Sequence, residues 1–238
     1  NNLANVNTTG FKADRANFES LLYQILRGAG DNTSENTSLT SGLSVGTGTR
    51  LLNTSKLHTQ GSLINTGNSL DISIEGDGFF QVLLPDGRVA YTRSGAFSRN
   101  AEGTVTTASG YALQPEITIP AEAISINISS DGIVSVQVPG AVEAEEVGQI
   151  TLADFPNRQG LQPNGESMLL ETPASGAPIV AAPFEEGMGR TVQGSLESSN
   201  VNVVQELVDM IETQRAYEVS SKTITSVDEM MRYLAQNV

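Results

Sequence analysis

The C-terminal segment differs from the rest of the chain in its hydrophobic pattern. All 23 Gly and all nine Pro lie before Ser195. Beyond Ser195, apolar residues recur mostly at steps of three and four, which predicts an α-helix with an apolar stripe, interrupted by Gln214 and Ser221. Asn202 is suited to cap the start of this helix. The apolar positions are Val203, Val204, Leu207, Val208, Met210, Ile211, Tyr217, Ile224, Val227, Met230, Met231 and Leu234.

A helix over residues 203–236 would be ~51 Å long, which exceeds the ~30 Å diameter of a small domain. We therefore expect it to extend beyond any globule that this chain forms. The ordinary alternative is an amphipathic helix packed on its own domain. The rest of the sequence offers few helices to cover the stripe, so packing against other chains is the favoured interpretation.

The middle of the chain alternates with a period of two, which predicts β-structure. Apolar residues alternate on both sides of the turn sequence SSDG at residues 129–132, and this pattern is typical of a hairpin. A second hairpin is predicted for GFFQVLLPDGRVAYTR, with Pro85, Asp86 and Gly87 at its turn. The stretch LDISIEGDGFF predicts a strand followed by a bend at the glycines of GDG.

Two weaker patterns precede this β region. Apolar residues at 18, 21, 22, 25 and 26 fit helical spacing and predict a short helix. The following stretch LRGAGDNTSENTSLTSGLSVGTGTR is rich in Gly, Asn, Ser and Thr, so its composition predicts a loop. The expected order is a polar, partly helical start, a loop, a β domain and a long helix.

Composition excludes several classes of function and assigns none. The 238 residues include no Cys, which excludes disulfides and thiolate sites. The formal net charge of −14 argues against a general nucleic-acid binder. Residues 71–190 hold sixteen acidic and five basic side chains, which predicts a solvated acidic domain. The sequence shows neither an apolar run long enough to span a bilayer nor a signal-peptide pattern at its start.

Candidate catalytic and ligand-binding patterns are incomplete. His58 could act as a lone base, but the sequence favours a surface strand residue because no nucleophile stands beside it. GDGFFQ lacks the third glycine of a dinucleotide-binding loop. DISIEGD begins like a calcium loop, yet Val82 occupies the place of its bidentate Glu. We therefore expect no enzymatic activity, no cofactor and no metal site.

Three segments together resemble a known family. They are NNLANVNTTGFK at the start, GDGFF with YTRSGAFSRNAEG in the middle, and SSNVNVVQELVDMIETQRAYEVSSKTI near the end. In this order they closely resemble the bacterial flagellar rod and hook proteins, and the resemblance covers essentially the whole chain. The stretch from Tyr23 to Arg50 resembles the additional loop of the distal rod type, which favours that branch over the hook and proximal rod branches.

The resemblance implies an α+β fold, with a mainly β middle domain and long terminal helices. The helices would form an inner, coiled-coil-like layer in a helical assembly. Its domains would be residues 1–20 with 195–238 as the inner layer, 21–70 as a linking region and 71–194 as the outer β domain. Family members have a helical stretch upstream of NNLANVNTTGFK, so we expect the inner layer to be incomplete in this chain.

The resemblance also implies interface residues. The expected assembly residues are Leu3, Asn5, Val6, Asn7, Phe11, Val203, Val204, Leu207, Val208, Met210, Ile211, Tyr217, Ile224, Val227, Met231 and Leu234. The expected residues of the distal-rod-type loop at 23–50 are Tyr23, Gln24, Arg27, Gly28, Leu39 and Gly42.

As a family member, the chain would polymerise with itself into a rigid hollow drive shaft that carries torque to the hook and leaves an export channel. Its partners would be proximal rod proteins, the hook protein, the surrounding bushing rings and the flagellar export apparatus. No nucleic acid and no membrane insertion are expected. It would lie between the periplasmic space and the outer membrane, exported without a cleaved signal peptide. A carbohydrate-binding or adhesin β module with a helical stalk is the alternative from another class, although the sequence has no Trp.

Overall fold

The computed structural model describes most of the chain, namely residues 1–29, 32–34, 37–38, 40–140 and 144–236. Contacts divide the chain into two units. One unit combines Asn1–Ala13 with His58–Val238, and the other is Asp14–Leu57. The three-part division expected from the sequence, with boundaries near residues 20, 70 and 194, stays a prediction.

The unit Asp14–Leu57 consists of antiparallel strand pairs. Its strands are β1 (Asp14–Ser20), β2 (Tyr23–Arg27), β3 (Asn32–Ser34), β4 (Thr37–Ser38), β5 (Leu43–Gly46) and β6 (Thr49–Lys56). β1 pairs with β6, β2 with β5 and β3 with β4. The β1–β6 ribbon contains a bulge, because Asn17 lies opposite Asn53 while Phe18 lies opposite Leu51.

Both predictions for this region are wrong for the described residues. Phe18 lies in β1, Ile25 and Leu26 lie in β2, and Leu21 and Leu22 connect the two strands, so no helix forms. The segment predicted as a loop supplies the partner strands β5 and β6. The apolar spacing was ambiguous, since a short run of this kind fits a strand pair as well as a helix. Cross-strand pairing then decided the outcome.

The other unit contains sixteen strands and one long helix in its described part. The strands are β7 (Leu63–Asn65), β8 (Ile72–Glu75), β9 (Phe79–Leu83), β10 (Val89–Thr92), β11 (Phe97–Arg99), β12 (Val105–Thr107), β13 (Ala112–Gln114), β14 (Ser125–Ile128), β15 (Ile133–Gln137), β16 (Glu145–Gln149), β17 (Leu152–Asp154), β18 (Gln162–Gly165), β19 (Met168–Leu170), β20 (Ile179–Ala181), β21 (Arg190–Gln193) and β22 (Ser195–Glu197). The helix is α1 (Val203–Gln236), and 3₁₀ turns occur at Leu3–Asn5 and Arg158–Gly160.

A nine-stranded antiparallel sheet forms the main body of this unit. Its order is β11-β12-β13-β9-β10-β19-β18, and β17 pairs with both β9 and β20. A three-stranded sheet has the order β14-β15-β16, while β8 pairs with β21 and β7 with β22. The last two pairings join strands that are far apart in sequence. They place β21 and β22, which lead into α1, beside residues 63–75.

The hairpins predicted from alternation are confirmed. β14 and β15 pair across the SSDG turn, and β9 and β10 pair across the turn that ends at Gly87. The predicted bend after β8 is also confirmed, because Gly76 and Gly78 adopt φ values of +111° and +122°. Both hairpins occur where turn-forming residues separate two stretches of alternating apolar residues.

The apolar sides of these sheets meet in one main core. Phe80 is fully buried there and packs edge-on against Phe97, with ring centroids 5.2 Å apart. A second cluster forms around Phe79, Tyr91 and Phe155. The β part of this unit is therefore a completed fold with its own hydrophobic interior. The architecture is mainly β with a C-terminal helix, which agrees with an α+β fold.

Candidate assembly interface

Helix α1 confirms the helix predicted at the C-terminus. The Asn202 side-chain oxygen accepts hydrogen bonds from the backbone N–H groups of Val204 and Gln205, at 3.0 and 3.3 Å, which is the expected N-cap. Glu206 lies in the first turn, where a negative charge favours the helix dipole. Among its described residues, α1 has no buried side chain.

The apolar side chains of α1 lie open to solvent. Their exposed fractions run from 37% at Val203 to 77% at Tyr217. The predicted interface positions on the helix all belong to this set: Val203, Val204, Leu207, Val208, Met210, Ile211, Tyr217, Ile224, Val227, Met231 and Leu234. Because an exposed apolar surface of this extent is unusual on a soluble monomer, it indicates a binding surface.

The N-terminal segment Asn1–Ala13 returns to the base of this helix. The Asn2 side-chain amide donates to Glu206 Oε1 at 2.8 Å, and the Ala13 N–H donates to the Asn200 side-chain oxygen at 2.7 Å. Phe11 is only 8% exposed and packs in a small cluster with Ala13, Val201 and Val6. The first and the last of the three segments that carry the family resemblance therefore meet in the folded chain.

The predicted N-terminal interface residues are placed unequally. Leu3, Asn5 and Val6 are half-buried and Asn7 is exposed, so these four keep surface that another chain could contact. Phe11 instead uses its side chain within the chain itself. Their role in assembly stays a prediction.

Gly10 allows the N-terminal segment to approach the β domain closely. It adopts φ +67°, and a Cβ at this position would lie 2.4 Å from the Ser94 backbone nitrogen. Its N–H donates to the Glu197 carbonyl at 2.8 Å. Any side chain here would therefore push the N-terminal segment away from the backbone of Arg93 and Ser94.

A cluster of three buried charges lies at this junction, and no sequence pattern predicted it. We call Lys12, Arg93 and Glu197 the junction cluster; their side chains are 4%, 4% and 0% exposed. Lys12 Nζ lies 2.5 Å from Glu197 Oε1, and Arg93 Nη1 lies 3.4 Å from Glu197 Oε2. Glu197 ends β22, so the cluster ties the N-terminal segment to the strand that leads into α1.

Hydrogen bonds to the backbone extend the junction cluster, although the buried Nε of Arg93 has no partner among the described residues. Lys12 Nζ also donates to the Thr59 carbonyl at 2.8 Å, the Gly61 N–H donates to Glu197 Oε1 at 2.8 Å, and Arg93 donates to the Gly76 carbonyl at 2.8 Å. Burial lowers the pKa of Lys12 and of Arg93, and the carboxylate of Glu197 opposes that effect in both cases. The cations are therefore held charged chiefly by one carboxylate.

His58 lies beside the junction cluster, and the structure corrects its predicted placement. It is partly buried, follows the end of β6, and packs edge-on against Phe79 with ring centroids 5.7 Å apart. Burial, with the nearby charge of Lys12, lowers its pKa to about 4. Its Nδ1 has no hydrogen-bond partner in the described part of the chain. A surface strand position is therefore wrong, and His58 is a neutral packing residue near neutral pH.

The predicted loop residues lie in the unit Asp14–Leu57, which we call the β-ribbon unit. Tyr23, Gln24 and Arg27 belong to β2 and are exposed, while Gly28 and Gly42 lie close to each other at the end of the β2–β5 pair. Leu39 lies outside the described residues. Large apolar side chains in this unit are also exposed: Phe18, Leu22, Tyr23, Ile25, Leu26, Leu43, Val45, Leu51 and Leu52.

The described residues form neither a metal-binding cluster nor a membrane-spanning helix. Over residues 1–29, 32–34, 37–38, 40–140 and 144–236, no group of three or more His, Cys, Asp or Glu side chains could hold a metal ion. Within the same described residues, no helix combines the length and hydrophobicity needed to cross a membrane.

Comparison with known sequences identifies the family. The profile described as "Flagellar hook protein FlgE/F/G D1 domain" matches residues 73–136, and "Flagellar basal body rod FlgEFG protein C-terminal" matches residues 192–237. The chain is 51% identical to the "Flagellar basal-body rod protein FlgG" of Buchnera aphidicola subsp. Schizaphis graminum, over 99% of this chain and 91% of the relative. It is 44% identical to the protein of that name from Agrobacterium fabrum, over 100% and 91% of the two chains.

The comparison also separates branches of the family. The "Flagellar basal-body rod protein FlgF" of Caulobacter vibrioides is 31% identical over 98% of this chain, whereas the FlgG protein of the same organism is 44% identical over 99%. The similarity spans both the exposed helix and the β domain, which favours a structural role over the carbohydrate-binding alternative. This chain belongs to the family of flagellar basal-body rod proteins.

Proposed function

We propose that this chain is the subunit of the distal rod, and that it polymerises into a hollow shaft that transmits torque to the hook. The exposed helix α1 carries this proposal. It is 34 residues long, and its described part presents fourteen large apolar side chains that the fold of a single chain does not bury. A permanent structural assembly would bury such a surface, since obligate interfaces resemble a domain core cut in half.

The separation of the chain into a packed β domain and an exposed helix supports this assignment. The β domain has its own core, and the junction cluster joins it to the start of α1. Torque that enters one part of such a subunit would pass through the junction to the other. In the assembled rod, the neighbours would be further copies of this chain, the proximal rod proteins, the hook protein and the bushing rings. Export through the flagellar apparatus and a periplasmic position belong to the same proposal.

The test is whether substitutions on α1 block assembly without unfolding the subunit. Leu207→Asp combined with Ile211→Asp would place two charges in the exposed apolar surface. The expected result is loss of this chain from isolated basal bodies and loss of motility. The purified variant should keep the thermal transition of its β domain, because neither side chain is buried in the single chain.

A matched control uses the polar side of the same helical turns. Gln205→Asp combined with Thr213→Asp adds the same charge at similar heights, and we expect normal incorporation. Normal rods and motility in cells that carry the Leu207/Ile211 variant would exclude α1 as an assembly surface and so contradict the proposal.

The β-ribbon unit supports the distal rod over other members of the family. Its many exposed apolar side chains would be covered by neighbouring subunits in a rod. Two-stranded ribbons are only marginally stable alone, so packing on neighbours would also stiffen the shaft. Deletion of residues 23–40 should therefore leave assembled rods that bend more easily in electron micrographs. Unchanged stiffness would argue for a proximal rod or hook protein instead.

A further inference from the structure

A tight bend between β8 and β9 lies against the junction cluster. It consists of Gly76, Asp77 and Gly78, and we call it the GDG bend. The carbonyl of Gly76 accepts the hydrogen bond from Arg93 Nη2 at 2.8 Å, so one member of the junction cluster also holds the bend. The backbone carbonyl of Asp77 accepts a hydrogen bond from the Gly189 N–H at 2.7 Å. The backbone of the bend is therefore tied to two distant parts of the chain.

The side chain of Asp77 connects the bend to a second group of charges. Arg158 Nη1 donates to Asp77 Oδ1 at 2.6 Å, while Nε and Nη2 of the same guanidinium donate to the two carboxylate oxygens of Asp154, both at 2.7 Å. The hydrogen bond from Arg158 lowers the pKa of Asp77, and the hydrogen bonds to both carboxylates raise the pKa of Arg158. Asp154 ends β17, so Arg158 joins the GDG bend to the nine-stranded sheet.

A second route joins Arg93 to Arg158 through aromatic rings. The guanidinium carbon of Arg93 lies 5.3 Å from the centroid of the Phe79 ring, and His58 packs edge-on against the same ring. His58 in turn hydrogen-bonds to the backbone of Arg158. Phe79 is only 1% exposed, so this route passes through the packed interior. A polar route through the GDG bend and an aromatic route through Phe79 therefore both run between the two arginines.

We propose that Asp77 and Arg158 are positioning residues, which hold the N-terminal segment in place from a distance by fixing the GDG bend against the sheet. The bend fixes Arg93, Arg93 fixes Glu197, and Glu197 binds Lys12 of the N-terminal segment. This segment also contacts the start of α1. Docking of the N-terminal segment is therefore linked to a charge group at the end of β17.

Arg93 is the member that transmits the effect. Its side chain is 4% exposed, and its nitrogens Nη1 and Nη2 contact different partners, Glu197 Oε2 at 3.4 Å and the Gly76 carbonyl at 2.8 Å. Because a guanidinium is planar and rigid, a shift of the acceptor at Gly76 moves both nitrogens together. A buried donor that loses its partner is costly. Movement of the bend is therefore passed on to Glu197.

Hydrogen exchange of one backbone amide tests this coupling in the purified chain. The Gly10 N–H donates to the Glu197 carbonyl, so its exchange rate reports release of the N-terminal segment. Asp77→Asn and Arg158→Gln change side chains that are 53% and 26% exposed, and neither residue touches that segment in a described contact. Each variant should raise the exchange rate of the Gly10 amide at least about fivefold, while the amides of β15 keep their wild-type rates.

Glu75→Gln is the matched control for these variants. Glu75 directly precedes the GDG bend and pairs with Arg190 at 2.6 Å, but this pair belongs to neither route. We expect the wild-type exchange rate at Gly10. Wild-type exchange at Gly10 in Asp77→Asn and Arg158→Gln as well would overturn the proposal. Equal acceleration in β15 would also overturn it, because the whole domain rather than the junction would then have loosened.

A double variant distinguishes a linked series of contacts from independent ion pairs. Lys12 and Arg158 share no carboxylate partner. Independent pairs would multiply their effects on Gly10 exchange, whereas a linked series predicts that Lys12→Met with Arg158→Gln stays within about twofold of the faster single variant. Multiplied effects would contradict the proposal. The measurement uses the isolated chain, so its result is separate from the incorporation experiment that tests the proposed function.

Discussion

The β domain and helix α1 belong to one chain but reach stability in different ways. The β domain buries Phe80 and Leu152 completely and pairs its strands into a core. Helix α1 has a good N-cap and regular periodicity, yet none of its described side chains is buried. Most helical stability in proteins comes from packing of an apolar face. The β domain therefore has a complete core within one chain, whereas α1 has none in the described part of the chain.

The junction cluster lies where the N-terminal segment meets the strand that leads into α1. It is as buried as the β core, yet its members are charged and come from the N-terminal segment, from residue 93 and from β22. Exchange of the cluster for apolar residues could leave stability unchanged, since buried ion pairs add little net free energy. A defined hydrogen-bonding pattern, however, holds the N-terminal segment and β22 in one relative geometry.

The largest expected effect tests the completeness of the β core. Phe80→Ala should lower the free energy of unfolding of the β domain by about 4–5 kcal/mol, because it leaves a cavity beside Phe97. Calorimetry of the purified chain measures it. Leu83→Ala, in the same strand but 38% exposed, is the control and should cost far less. Similar losses at both positions would contradict a core centred on Phe80.

The next effect concerns the junction cluster. Glu197→Gln should cost about 3 kcal/mol of unfolding free energy, because it leaves Lys12 and Arg93 buried without their counter-charge. The amide oxygen of the substituted side chain can still accept a hydrogen bond. The expected loss is therefore near the lower end of the range of about 3–5 kcal/mol for breaking a buried ion pair. Urea denaturation at neutral pH gives the value.

Glu75→Gln is the matched control for that measurement. Glu75 pairs with Arg190 at 2.6 Å, but both side chains are nearly half exposed, so the expected change is below about 1 kcal/mol. Equal effects of the two substitutions would mean that the junction cluster behaves as an ordinary surface ion pair.

Local sequence signals predicted the β hairpins and α1 but could not predict the junction cluster. A hairpin such as β14–β15 needs only alternation and a turn, and α1 needs only periodicity and the cap at Asn202. Lys12 and Glu197 are 185 residues apart, and neither stands in a local pattern that reveals its partner. Their meeting depends on the pairing of β22 with β7, which is a property of the whole fold.

The same reasoning explains the misassigned region before the β domain. Residues 18–26 carry apolar side chains whose short spacing fits two kinds of element. These residues form strands because they pair with other strands: Leu51 lies opposite Phe18, and Val45 lies opposite Gln24. Val45 lies in the Gly- and Thr-rich stretch that composition alone predicts as a loop, and Leu51 directly follows that stretch. For the interface, periodicity predicted the helix that carries the apolar residues, and the structure showed that a single chain leaves them exposed.

A smaller effect links His58 to pH. Its pKa is about 4 in the folded chain against 6.5 for an unperturbed histidine. Between these values the unfolded chain binds the proton and the folded chain does not, so this residue reduces stability as pH falls from 6.5 toward 4. Since His58 is only partly buried, the expected loss is about 1–2 kcal/mol between pH 7.5 and 4.5.

The variant His58→Gln isolates this contribution from titrating carboxylates. It should lose less stability than the wild-type chain over the same pH interval, by about 1–2 kcal/mol, as measured by urea denaturation at each pH. Parallel pH profiles of the two chains would show that His58 is not held neutral by its position beside Lys12 and Phe79.

The smallest expected effect is on α1 in the isolated subunit, and it completes the contrast with Phe80. Ile224→Gln should change the unfolding free energy of the β domain by less than about 0.5 kcal/mol, because residue 224 is 70% exposed. The helical circular-dichroism signal of the purified chain should fall gradually on heating, below the cooperative transition of the β domain, because an unpacked helix is marginally stable. In assembled rods the same helical signal should persist to higher temperature. A single shared transition in the isolated subunit would mean that α1 is stabilised by its own β domain, and the contrast drawn between the two regions would then be wrong.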